Sequence, residues 1–171
     1  MSRQASTYRK QHLANEDLNM IVNKCRSNKQ LLFIKFLSLT GLRIAELTDI
    51  RLKDCRTIGN YIDITIKAKK TNVMIYRRID HKFFIEIITE FNGSKYLFET
   101  SGEKPYRPEY ISNQIKKIGR IIGYDISANS MRHYYVTNRI NKGDDLIEIS
   151  RSLGHVNLGS ILQYYYTGRN E

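Results

Sequence analysis

The sequence predicts a mainly α-helical fold with one small antiparallel β-sheet, an α+β domain. Two patterns carry that prediction. Apolar residues recur at helical spacing in eight segments, and near the middle one stretch alternates instead. Size sets the third bound: 171 residues suit one compact domain, and 41% hydrophobic content is enough for a core.

The elements follow in order. Residues 1–12 are polar and basic and are expected to form a flexible arm ahead of a single domain over 13–171. In "ANEDLNMIVNKCR", Leu18, Ile21, Val22 and Cys25 share a helical face after an acidic first turn that suits the helix dipole. "NKQLLFIKFLSLTG" is apolar nearly all round, as a central core helix is, with Gly41 as its stop. "LRIAELTDIRLKDC" reads as a further short helix with Leu42, Ala45, Leu47 and Ile50 inward. "YIDITIKAKKTNVMIYRRI" alternates. Ile62, Ile64 and Ile66 fall on one face, and the turn of this hairpin is expected at Lys69–Asn72. "DHKFFIEIITEFNG" returns to helix, capped by Asp80 and stopped by Gly93. "SKYLFETSGEKPYRP" is a short extended piece and a loop. An amphipathic helix starts from Pro108, and "SANSMRHYYVTNRINKG", "DDLIEISRSLG" and "NLGSILQYYY" predict three more helices, punctuated by Gly143 and Gly154.

Charge narrows the function. A formal net charge of +11 asks for a polyanion, and nucleic acid is the commonest one. No apolar run approaches the ~20 residues of a transmembrane helix, and the N-terminal stretch has no signal-peptide core, so neither a membrane nor secretion is expected. Cys25 and Cys55 lack metal or disulfide spacing and read as reduced thiols of an intracellular protein. His12, His81, His133 and His155 show no metal spacing either.

Phosphoryl chemistry needs cations around a phosphate, and arginine supplies a planar fork that keeps its proton. Arg43 in "TGLRIAEL" follows the stop of an apolar helix, where the plain alternative is a pair with Glu46 at i+3. Arg132 in "NSMRHYYV" lies on an apolar-faced helix beside His133, and His155 in "LGHVNL" sits at a helix junction. Near the end, "QYYY" carries Tyr164, Tyr165 and Tyr166.

"TGLRIAEL", a hairpin with lysines at its turn, "MRH", "LGH" and a tyrosine nine residues beyond that histidine occur in this order along the chain. Together they resemble the catalytic domain of the tyrosine recombinases, the phage integrase family, over about Leu13 to Tyr166. The resemblance implies the fold of that domain. It implies a site of Arg43, Arg132, His155 and a nucleophilic Tyr164, with Tyr165 and Tyr166 as packing or the next candidates. Glu46 matches the acidic residue after the first arginine and is implied as support. "AKKTNV" points to Lys70 as the general acid, with Lys69 the runner-up and Lys67 third. Asn129 stands three residues before Arg132, where the family usually has histidine; it can donate a hydrogen bond but has no proton to exchange near neutral pH. His133 occupies a position where the family often has histidine as well.

What the resemblance implies about activity is site-specific strand cleavage and rejoining through a covalent 3′-phosphotyrosine, with no metal, nucleotide or other cofactor. The implied partner is double-stranded DNA, bound by a homo-tetramer that is a monomer when free. The implied setting is the nucleoid or the host cell of a mobile element. The family's N-terminal DNA-clamping domain is not expected, since the pattern begins near residue 13. The alternatives are a catalytically weak DNA-binding module of the same fold and a type IB topoisomerase-like activity.

The residue types suit that chemistry. A free phenol, with a pKa of about 10, is a poor nucleophile at neutral pH, and neighbouring guanidinium groups lower the cost of its phenolate. Arginines and a histidine donor can hold the charge that builds on the non-bridging oxygens. A lysine on a hairpin can protonate the departing 5′ oxygen.

Overall fold

The computed structural model describes residues 13–154. In chain order these form α1 (Asn15–Asn23), α2 (Asn28–Thr40), the short α3 (Ile44–Leu47), a 3-10 turn (Leu52–Asp54), β1 (Cys55–Ile58), β2 (Tyr61–Lys67) and β3 (Met74–Asp80). There follow α4 (His81–Phe91), β4 (Glu99–Thr100), β5 (Lys104–Pro105), α5 (Pro108–Ile122), α6 (Ala128–Asn141) and α7 (Leu146–Ser152). β1, β2 and β3 make an antiparallel sheet in that order, and β4 pairs with β5.

α2 is the central element. The Ser27 hydroxyl accepts from the Gln30 N–H at 3.2 Å and starts it; Gly41, at φ +61°, ends it and returns its N–H to the Leu37 carbonyl at 2.8 Å. Between them Leu32, Phe33, Ile34, Phe36 and Leu37 are buried on several sides, because α1, α4, α5, α6 and β3 all pack on this helix. Phe33, Phe36, Phe91, Phe98 and Tyr106 form an aromatic cluster on its flank. Its edge-to-face pairs lie 5.0–5.7 Å apart, the geometry that ring quadrupoles favour. Asp80 caps α4 by accepting from Lys82 N and Phe83 N, and Pro108 occupies the first turn of α5.

In the sheet, Ile62 pairs with Ile79, Ile64 with Arg77 and Ile66 with Ile75, and all six side chains turn into the protein. Arg77 is thus the one charged residue among these six. Met74, Tyr76 and Arg78 point outward on alternate positions, as a pleated strand requires.

The structure departs from the sequence reading at three places. The helix expected over "LRIAELTDIRLKDC" stops at Leu47, because the chain beyond is captured by long-range pairing: Leu97 N donates to the Ile50 carbonyl at 2.9 Å and Leu52 N to the Lys95 carbonyl at 3.0 Å. The hairpin gains a third strand, β1, through the two-residue turn Gly59–Asn60; four residues with an exposed face give no periodic signal. α4 ends at Asn92, in the left-handed region at φ +47°, one residue before the expected Gly93. The predicted helix over "NLGSILQYYY" lies outside the described residues.

Candidate active site

The turn that ends α2 organises the site. Thr40 and Gly41 leave two consecutive carbonyls at the negative end of the helix, and an arginine donates to each. Arg77 Nε reaches the Thr40 carbonyl at 2.5 Å, and Arg132 Nη1 reaches the Gly41 carbonyl at 2.6 Å. Both guanidinium groups are buried, at 5% and 3% exposure. Gly41 is required here twice over. Its φ is left-handed, and a Cβ on it would run into the ring of Tyr135.

Arg43 stands two residues after Gly41, at the N-terminus of α3. Its backbone N–H donates to Glu46 Oε2 at 2.8 Å and its Nη1 to Glu46 Oε1 at 3.0 Å. One carboxylate therefore caps α3 and holds the arginine side chain. Glu46 is fully buried while the Arg43 side chain keeps 32% of its surface, so its remaining donors can meet a ligand from outside. The pair that served as the plain alternative for Arg43 is present, and it orients the guanidinium rather than consuming it.

α6 brings the next residues. Asn129, Arg132 and His133 fall on one side of its first turns, at i, i+3 and i+4. Asn129 is exposed, Arg132 buried and His133 half-buried. Ser130 accepts from the Ser127 N–H at 3.1 Å and fixes the start of the helix. Arg132 also donates from Nη2 to the Leu153 carbonyl at 3.3 Å, so it ties α6 both to the α2 turn and to the end of α7.

The β2–β3 turn completes the described part. Ala68 N donates to the Val73 carbonyl and Asn72 N to the Ala68 carbonyl, each at 2.8 Å, which closes the turn that carries Lys69 and Lys70. Lys69 pairs with Asp49 at 3.4 Å. Lys70 is exposed and has no ion pair or hydrogen bond among the described residues. Lys67 is exposed at the end of β2. Thr71 Oγ1 donates to the Gly154 carbonyl at 3.0 Å. His155, Tyr164, Tyr165 and Tyr166 lie outside the described residues.

Sequence reasoning did not single out Arg77, Tyr135 or Thr71. Arg77 lies 5.6 Å from the Tyr135 ring centroid, donates from Nη1 to the Tyr76 carbonyl at 2.8 Å, and keeps a buried Nη2 without a hydrogen-bond partner among the described residues. Burial pulls its pKa below the ordinary arginine value, and Tyr135 and Glu46 oppose that pull. The available signal was parity: an arginine on the inward register of an apolar strand. Arg139 also lies 5.8 Å from the Tyr135 centroid and is fixed by Asp144 at 2.5 Å and Ser152 at 3.2 Å.

The thiols play no part in this arrangement. Burial pushes the Cys25 thiol up to about 11 and the Cys55 thiol up to about 12, which favours the protonated form of both. Among the described residues, no helix is long and apolar enough to cross a membrane, and no three His, Cys, Asp or Glu side chains are grouped to hold a metal ion.

The chain has relatives of known type. The sequence profile of the phage integrase family matches residues 11–171, and the chain belongs to that family. Transposase A of transposon Tn554 from Staphylococcus aureus is 23% identical over 171 residues, covering 90% of this chain and 47% of its own length. A XerD-like tyrosine recombinase of Streptococcus uberis is 30% identical over 141 residues, covering 80% of this chain and 53% of its own. The chain thus spans about half the length of these relatives. Among solved structures, the XerH site-specific recombinase in its pre-cleavage complex with difH shares the fold at a TM-score of 0.76 and 23% identity, covering 91% of this chain and 50% of that one.

Proposed function

We propose that this chain is the catalytic domain of a site-specific DNA recombinase that cuts and rejoins double-stranded DNA through a covalent 3′-phosphotyrosine. One observation carries the reading: a single turn, Thr40–Arg43, presents Arg43 on a buried carboxylate and anchors Arg132 through the Gly41 carbonyl. Two forked cations from distant parts of the sequence are thereby preorganised for a phosphodiester before any substrate arrives. Similarity to the named recombinases, and the XerH complex with its difH substrate, support DNA as the partner. The net charge of +11 supports phosphate-dominated, salt-sensitive binding.

In this mechanism Arg43 and Arg132 neutralise the non-bridging oxygens, joined by His155 as a donor. The Tyr164 phenol oxygen attacks phosphorus, its proton passing to water. The bond from phosphorus to the 5′ oxygen breaks, and that oxygen takes a proton from the Lys70 ammonium. Rejoining reverses each step. Glu46 keeps Arg43 in place, and Asn129 adds a hydrogen-bond donor at the mouth of α6. Assembly on DNA is as a homo-tetramer of this domain, residues 13–171, with residues 1–12 as a basic arm.

A nicked suicide duplex tests the reading. Cleavage upstream of the nick releases a short strand and traps the enzyme on DNA. The expected result is an SDS-stable protein–DNA adduct that forms in the presence of a chelator. The second reading, a binding module of the same fold, draws on Asn129 in place of an exchangeable proton. It gains if DNA is bound and no adduct forms under any condition.

A further inference from the structure

We propose that Thr71 is a positioning residue: its hydroxyl latches the turn that carries Lys70 to the end of α7. The inference rests on the recombinase reading and deepens it, since it says what sets the general acid in place.

The latch is built from both sides. On the hairpin, the closed turn from Ala68 to Val73 leaves Thr71 half-buried while Lys69, Lys70 and Asn72 are exposed. The Thr71 hydroxyl donates across 83 residues of sequence to the Gly154 carbonyl at 3.0 Å. On the other side, Gly154 has φ +66°, and a Cβ there would meet Ile75 Cγ2 at 3.0 Å and Ala68 Cβ at 3.1 Å. The end of α7 therefore lies directly against the base of the hairpin, and glycine meets both the left-handed conformation and the close approach without strain.

The preceding carbonyl, that of Leu153, accepts from Arg132. Two consecutive carbonyls at the end of α7 thus bind one phosphate-holding arginine and the neighbour of the candidate acid. Lys69 pairs with Asp49 at 3.4 Å, whereas Lys70, beside Thr71 in the turn, has no ion pair or hydrogen bond among the described residues. Losing the Thr71 hydroxyl would free the turn on one side without touching the arginines.

In the step concerned, the phosphorus–oxygen bond to the 5′ carbon breaks, the oxygen keeps the electron pair, and the Lys70 ammonium supplies the proton. If sulfur replaces that bridging oxygen, the leaving group is a thiolate. Thiols ionise at about 8.5, so it departs without a proton donor. A positioning fault at Lys70 is therefore invisible on the sulfur substrate, whereas general damage to the fold is not.

The test starts from a pool of nicked duplexes of randomised sequence, from which wild-type protein selects its own sites as protein-linked DNA. The selected site is then made with a bridging oxygen or a bridging sulfur. Thr71→Val should cleave the oxygen substrate about five- to tenfold more slowly than wild type, the effect of one hydrogen bond on a two-state turn. It should cleave the sulfur substrate at the wild-type rate. Thr71→Ser, which keeps the hydroxyl, should recover most of the rate on oxygen. Equal rates for Thr71→Val and wild type on oxygen, or equal slowing on both substrates, would overturn the latch. If wild type cleaves neither substrate, the recombinase reading itself falls and the latch falls with it.

Discussion

Replacing Gly41 by alanine strikes the residue on which both arginine anchors depend. Two costs add. The left-handed conformation at φ +61° costs a non-glycine residue roughly 1–2 kcal/mol. The new methyl runs into the Tyr135 ring, and overpacking of this kind costs roughly 1–3 kcal/mol more. A stiffer unfolded chain returns about 0.4–1 kcal/mol. The net expectation is destabilisation of about 1–4.6 kcal/mol, read in urea unfolding as a lower midpoint at unchanged slope. A double-mutant cycle with Tyr135→Ala isolates the clash. In the Tyr135→Ala background, Gly41→Ala should cost only the backbone part less the same return, about 0–1.6 kcal/mol. The same cost in both backgrounds would refute the packing argument, and no destabilisation at all would refute the turn geometry. Because the Gly41 carbonyl holds Arg132, the folded variant should also cleave DNA more slowly than its folded fraction explains.

Three further predictions concern single residues. Arg77→Met leaves the Thr40 and Tyr76 carbonyls without their donor but also removes a buried charge; a net loss of about 1–3 kcal/mol is expected by urea unfolding. Lys70→Ala should slow cleavage of ordinary DNA by about 10²–10⁴, whereas Lys69→Ala, which removes only a half-exposed ion pair, should change it little; the reverse order would transfer the acid role to Lys69. Backbone N–H groups of Tyr96, Ser94 and Lys95 hold the Glu99 carboxyl below its ordinary value of 4.5. A group lowered in the folded state stabilises above its unfolded pKa and loses that contribution as pH falls through the folded one. Glu99→Gln should therefore flatten the fall of stability below about pH 4.5, measured by thermal melts across the acid range.

Much of this was legible in the sequence because the signals were local. A run of apolar residues ending in Gly41 marks α2 within fourteen residues of chain; alternation over Ile62, Ile64 and Ile66 marks β2. The Arg43–Glu46 pair was legible because i+3 neighbours meet on any helix. What escaped depends on partners far away. β1 exists because Cys55–Ile58 lies along β2, and α3 ends early because Ile50–Leu52 pairs with Lys95–Leu97. Arg77, Tyr135 and Thr71 escaped for the same reason. Beyond the inward parity of Arg77, each has an ordinary local context and gains its importance from a group more than thirty residues distant. The order of motifs along the chain carried the family, whereas the way one turn serves two arginines required coordinates.

The most direct test of the central claim is to digest the trapped protein–DNA adduct with protease and nuclease and to sequence the nucleotide-bearing peptide by mass spectrometry. A phosphodiester on the Tyr164 phenol, absent from the Tyr164→Phe protein, is the predicted result. An adduct that persists in Tyr164→Phe, or a nucleotide found on any other side chain, would contradict the account.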